Sequence, residues 1–141
     1  MTGGGFEILG WAARVVGLFY LVGGLFTLRA GRMEAFLDTA IARVEGRPAD
    51  RAERLRGWSM MIIGALTALS GLLLLLLLKT ALYAFLANAA WQAAWLAWAA
   101  RALPPDSPLA AQGRRGTVNA FVVWLVMTGL VLLLFERGVL T

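Results

Sequence analysis

Four apolar runs, each about the length of a bilayer crossing, dominate this chain of 141 residues. They cover 8–28, 58–78, 80–100 and 118–135. A helix rising ~1.5 Å per residue needs ~20 predominantly apolar residues to cross ~30 Å of hydrocarbon. The expected fold is therefore all-α: a polytopic membrane protein built as a bundle of four transmembrane helices. With 60% hydrophobic residues and a mean hydropathy of +0.75, the chain carries more apolar surface than a soluble domain of this size could hide.

The charges between the runs fall almost entirely on one side. Seven arginines (Arg29, Arg32, Arg43, Arg47, Arg51, Arg54 and Arg56) separate the first run from the second, and Arg101, Arg114 and Arg115 flank the third connection. Alternate loops of a four-span chain share a compartment, so ten of the 13 basic residues face the same way. By the positive-inside rule, loops 29–57 and 101–117 are cytoplasmic and both termini periplasmic. Arginine outnumbers lysine twelve to one amid abundant Ala, Leu and Gly, which points to a high-GC bacterium and its inner membrane. The uncharged Met1-Thr2-Gly3-Gly4-Gly5 start and the lack of a small-x-small cleavage site before the charged loop favour a retained first span over a signal peptide.

Within the first loop, Met33, Phe36, Leu37, Ala40, Ile41 and Val44 recur at spacings of three and four, with Glu34, Asp38 and Arg43 opposite. This predicts an amphipathic helix over 32–45, too short and too charged to span, lying along the cytoplasmic interface. Gly46-Arg47-Pro48 ends it, and 50–56 forms a charged helical lead-in to the second span. Only Lys79 and Thr80 separate the second and third runs, which implies a tight hairpin with Lys79 reaching the outer headgroups. Pro104, Pro105 and Pro108 stiffen the third connection, and Thr117 is the expected N-cap of the last helix.

Gly10, Gly17, Gly24 and Gly31 recur every seven residues in the first run, as do Gly57, Gly64 and Gly71 in the second. A seven-residue period keeps a stripe on the contact seam of two left-handed crossing helices, and small residues there let lipid-embedded backbones approach. The first two spans should form a close pair. The polyleucine stretch 72–78, Leu74 included, should matter less to that contact.

The polar residues inside the runs are the candidate ligand-binding site. Counting ~1.5 Å per residue from the outer helix ends puts Arg14, Ser70, Asn88 and Thr128 at one level, with Tyr20, Thr67 and Gln92 deeper. Intramembrane polar groups face protein or a cavity. Arg14 shares the glycine face of the first helix and is expected to point inward, toward Asn88 and Gln92. Such a layer of Arg14, Tyr20, Ser70, Asn88 and Gln92 would suit a quinone carbonyl, a lipid phosphate or a small anion. The competing reading is ordinary helix contact, with Arg14 reaching the outer headgroups and the hydroxyls satisfied on the preceding turn. Trp11, Trp58 and Trp98 lie near helix ends as interface anchors; Trp91, Trp95 and Trp124 are expected to pack.

The absences bound the chemistry. Without histidine or cysteine there is no His-based metal or haem site and no thiolate chemistry. No metal-ligand cluster, phosphate loop or intramembrane carboxylate pair is present, so no resident cofactor and no enzymatic activity are expected. The basic residues meet anionic headgroups rather than nucleic acid.

The segment from Arg14 to Leu28, an arginine opening an apolar Gly-rich helix, resembles the first span of DoxX-like membrane proteins. The charged loop that follows, the 64–78 stretch running into a third span, and the overall length fit the same pattern. The resemblance implies a four-helix bundle, of a family in which some members partner quinone-linked redox enzymes and many have no assigned role. Three functions follow in order. The first is a non-enzymatic accessory or scaffold subunit of an inner-membrane complex, with other membrane subunits, its own copies and membrane lipids as partners. The second is a DoxX-like quinone- or lipid-binding partner of a redox enzyme, and the third a small oligomeric transporter.

Overall fold

No proline interrupts the chain before Pro48, and the first apolar run continues unbroken into the charged segment after it. The computed structural model describes residues 2–48 and 50–141, in four helices with no strand among them. These are α1 (Thr2–Val44), α2 (Arg51–Leu75), α3 (Thr80–Ala102) and α4 (Pro108–Glu136). The expected separate amphipathic helix over 32–45 is instead the last four turns of α1. Nothing at Arg29–Arg32 favours a break: Ala30 is the best helix former, and Gly31 packs against Met60 and Met61 of α2. At 43 residues α1 is ~64 Å long, about twice a bilayer core.

α1, α2 and α4 are each long and apolar enough to cross a membrane. α3 has the length, at 23 residues, but Asn88, Gln92 and three tryptophans dilute its apolar character. Large apolar side chains cover the outside of the molecule; Val15, Phe19, Phe26, Leu125 and Val126 are all exposed.

The helices pack in chain order, α1 on α2, α2 on α3 and α3 on α4. The α1–α2 contact is the closest, and it follows the glycine register. A Cβ on Gly17 would stand 2.5 Å from the Leu75 backbone nitrogen, and one on Gly64 would stand 2.5 Å from that of Leu28. Gly24 meets Ala68, and Gly57 meets Ala35. Each step along α1 is matched by an equal step back along α2, as an antiparallel pair in a seven-residue register requires. The seam continues through Ala13 and Tyr20, both buried, and at the far end through Ala42. Leu74, expected to be peripheral, is 1% exposed and belongs to the core with Phe85, Trp124 and Val131. It sits three residues beyond Gly71, hence on the same inward face.

Three helix ends use the same cap, in which a residue of left-handed conformation lets two amides turn back onto the last turn. Gly46 (φ 66°) closes α1 and Gly138 (φ 71°) closes α4. α2 is closed by Leu77 at φ 55°, where a side chain costs roughly 1–2 kcal/mol. The turn is held from outside: Thr141 N–H donates to the Leu77 carbonyl at 2.7 Å, and Lys79 N–H donates to the Thr141 carbonyl at 3.0 Å. Leu140 beside it is buried. The segment 139–141 thus straps the α2–α3 hairpin, which explains how that hairpin forms without glycine or proline. At the other end of α1, Arg47 bridges Glu45 and Glu53. The hydrogen bond to Glu45, reinforced by both carboxylate charges, pushes the pKa of this guanidinium up.

α4 starts ten residues earlier than an N-cap at Thr117 would have it. Ser107 is its N-cap, accepting from the Ala110 amide at 3.1 Å, and Pro108 occupies the first turn, where its missing N–H costs nothing. Thr117 donates instead to the Gly113 carbonyl within the helix. Asp50 likewise caps α2, its side chain accepting from the Ala52 amide. Arg114 reaches across from α4 to the C-terminus of α3, its Nη2 donating to the Leu103 carbonyl at 2.6 Å and lying 3.5 Å from that of Ala99. A cation on orphan carbonyls at the negative end of a helix is stabilising. Arg114→Ala is expected to lower stability by ~1–2 kcal/mol, read from thermal unfolding in detergent. Arg115→Ala, at an exposed neighbouring position, should change little; equal losses for the two would remove this capping role.

Candidate functional site

The predicted polar layer separates into pieces. Arg14 is exposed, its guanidinium carbon 5.4 Å from the centre of the Trp11 ring. It follows Ala13 on the seam by one residue, and backbones in contact there leave no room for a long side chain on that line. The expectation that Arg14 points inward toward Asn88 and Gln92 is corrected by that exposure. Tyr20 is buried, but against aromatic rings: its centroid lies 4.9 Å from that of Trp124 and 5.7 Å from that of Phe85. Ser70 is fully buried and donates to the Leu66 carbonyl at 2.6 Å, one turn back. Thr128 does the same with the Trp124 carbonyl at 2.8 Å. Both are self-satisfied.

Asn88 is the exception. It is 0% exposed, its Nδ2 donates to Thr67 Oγ1 at 2.9 Å, and its Oδ1 has no partner. A buried amide oxygen without a donor costs ~1–3 kcal/mol, and among the described residues of the apolar body Asn88 Oδ1 is the one side-chain atom fully buried without a partner. Gln92, one turn along α3, is half-buried.

The aromatic centre of the bundle is Tyr20, Phe85 and Trp124, one side chain each from α1, α3 and α4. Phe85 and Trp124 stack at 4.5 Å with planes 15° apart, and the indole N–H donates to the Phe85 carbonyl at 3.1 Å. Donor and faces are both used within the protein, which marks this cluster as packing.

Sequence reasoning missed a groove between α2 and α3. It is about 930 Å³ in volume and lies between the first turns of α2 and the last turns of α3. Trp91, Trp95 and Trp98 form one wall, with Leu55, Trp58 and Ile62 opposite. The rings of Trp95 and Trp98 lie 5.2 Å apart, and Trp91 Nε1 donates to Ser59 Oγ at 3.2 Å across the groove floor. The available signal was the spacing: tryptophans at 91, 95 and 98 share one helix face. A smaller cleft of about 350 Å³ separates α1 from α4 at the opposite end, between Ala13 and Val16 on one side and Leu130 and Leu134 on the other. Among the described residues no cluster of acidic side chains could hold a metal. No protein-family model, curated protein or solved structure matches this chain.

Proposed function

We propose that this chain is a four-span protein of a bacterial inner membrane with both termini periplasmic. In that setting it acts as a non-enzymatic accessory or scaffold subunit of a larger complex. The observation that carries the reading is the far end of α1. Beyond Arg29 the helix runs on for ~22 Å, past the apolar body. On that extension Ala35 meets Gly57 of α2 and Ala42 is buried, which leaves a stripe of Met33, Phe36, Leu37, Ile41 and Val44 uncovered. Phe36 is 68% exposed and Val44 89%. A contiguous apolar stripe on a helix flanked by Arg29, Arg32 and Arg43 fits a partner that covers it.

Photo-cross-linking residues placed at Phe36 and Ile41 in cells should trap one discrete protein adduct, a second copy or another subunit. The same residues at Ala35 and Ala42 should not. Lipid adducts alone at Phe36 would defeat the scaffold reading. Orientation is tested separately: alkaline phosphatase fused at Thr141 should be active and at Pro48 inactive. Inactivity at Thr141 would reverse the topology.

A second reading, a DoxX-like partner of a redox enzyme, draws on the unpartnered Oδ1 of Asn88. A quinone offers carbonyls and no donor, so such a ligand would have to bring water or a reduced hydroxyl to that oxygen. Quinone found in the purified protein and lost in Asn88→Leu would favour this reading over the first.

A further inference from the structure

The tryptophan groove has walls, a floor and a charged mouth, and each has a measurable consequence. Asp50, Arg51 and Ser59 are its polar lining. Ser59 is occupied by the Trp91 indole, and Asp50 accepts from the Ala52 amide at 3.4 Å. Glu53, the nearest other acid in sequence, lies 3.6 Å from Arg47. Among the described residues Arg51 is paired with no carboxylate. Among the described residues the mouth therefore presents Arg51 without an ion pair, beside an Asp50 carboxylate that serves as the helix cap, above an aromatic slot.

Dimensions limit the occupant. From Arg51 at the mouth to Ile62 at the deep end is ~16 Å along α2, of which the part beyond Trp58 belongs to the apolar run. The groove thus reaches from the headgroup level into the upper acyl region of one leaflet. The volume falls within the ~300–1,000 Å³ of small-molecule sites. The slot also opens sideways, since Trp58, Trp91 and Trp98 are 64%, 39% and 40% exposed. An occupant arriving laterally from the bilayer reaches the groove without unfolding anything. Indole suits the wall because its face is apolar and its N–H tolerates the polar boundary.

We propose that this groove seats one anionic phospholipid, its phosphate on Arg51 and an acyl chain along Trp91, Trp95 and Trp98. The proposal rests on the membrane disposition above but not on the scaffold role. Arg51 supplies the selectivity for charge, and the indoles supply contact that any acyl chain could use. The unpaired guanidinium thereby gains a phosphate, the acceptor its planar donors match best.

Quenching of tryptophan fluorescence tests it. The full-length protein is reconstituted into phosphatidylcholine bilayers containing acyl-brominated phosphatidylglycerol or, in parallel, acyl-brominated phosphatidylcholine. The brominated anionic lipid should quench at about fivefold lower mole fraction, the advantage one arginine near a surface confers. Arg51→Gln should erase that difference and leave quenching by the zwitterionic lipid intact. Ala94→Leu, which fills the slot from α3, should reduce quenching by both. Arg115→Gln, at an exposed α4 position outside the groove's lining, should retain the preference. Equal quenching by the two lipids in the unaltered protein would overturn the proposal, as would an equal loss in Arg115→Gln. No quenching by either lipid would overturn the membrane disposition itself, a result distinct from loss of selectivity.

Discussion

Gly17→Leu and Gly64→Leu are each expected to abolish the α1–α2 pair, at a cost above ~4 kcal/mol. At both positions the first added carbon would stand 2.5 Å from a backbone nitrogen of the partner helix. Backbone cannot move aside as a flexible side chain can, so the helices must separate along the whole seam. Even Gly17→Ala should cost ~1–3 kcal/mol. A neighbouring glycine supplies the control: a Cβ on Gly23 would meet nothing within 4 Å, whereas one on Gly24 would run into Ala68. Gly23→Ala should be neutral or gain up to ~1 kcal/mol from helix propensity, while Gly24→Ala destabilises. Thermal unfolding in detergent separates the two, and equal effects would mean that the seam is not the helix contact. Within the polyleucine stretch, Leu74→Ala should cost about 2 kcal/mol and Leu76→Ala, 57% exposed, much less.

The second large effect is expected at Trp124. It stacks on Phe85, meets the edge of Tyr20 and donates to the Phe85 carbonyl, so one side chain ties α4 to α3 and to α1. Removing it leaves a cavity that three helices border. Where lipid is the surrounding medium, burial brings no gain from leaving water, and what is lost is dispersion contact and the hydrogen bond. Trp124→Ala should therefore cost about 3 kcal/mol, the low end for a large aromatic side chain. Trp124→Phe keeps most of the stacking and loses the indole donor, for about 1 kcal/mol. Trp58→Ala, at a 64% exposed position, should fall within ±0.5 kcal/mol. If unfolding in detergent ranks Trp58 above Trp124, the aromatic cluster is not what holds α4.

Much of this architecture is legible in local sequence, because the forces that set it are local. Long apolar runs without proline form helices whatever surrounds them. The seven-residue glycine stripes at 10–31 and 57–71 specify a close pair, because period and side-chain size alone decide which face two helices can share. Tertiary structure decided everything that depends on a neighbour's exact position. Arg14 and Ala13 are adjacent in sequence, yet only Ala13 fits a seam where backbones touch. Asn88 could not be separated from Ser70 by residue type, but Ser70 finds its own carbonyl one turn back and Asn88 must look across to Thr67. The continuity of α1 past Arg29 depends on α2 remaining alongside it, through Met61 and Gly57. The groove exists because α2 and α3, joined tightly at one end under a strap that buries Leu140, leave a slot at the other. The tryptophan spacing was visible in the sequence, but a facing wall at the right distance is a property of two helices together.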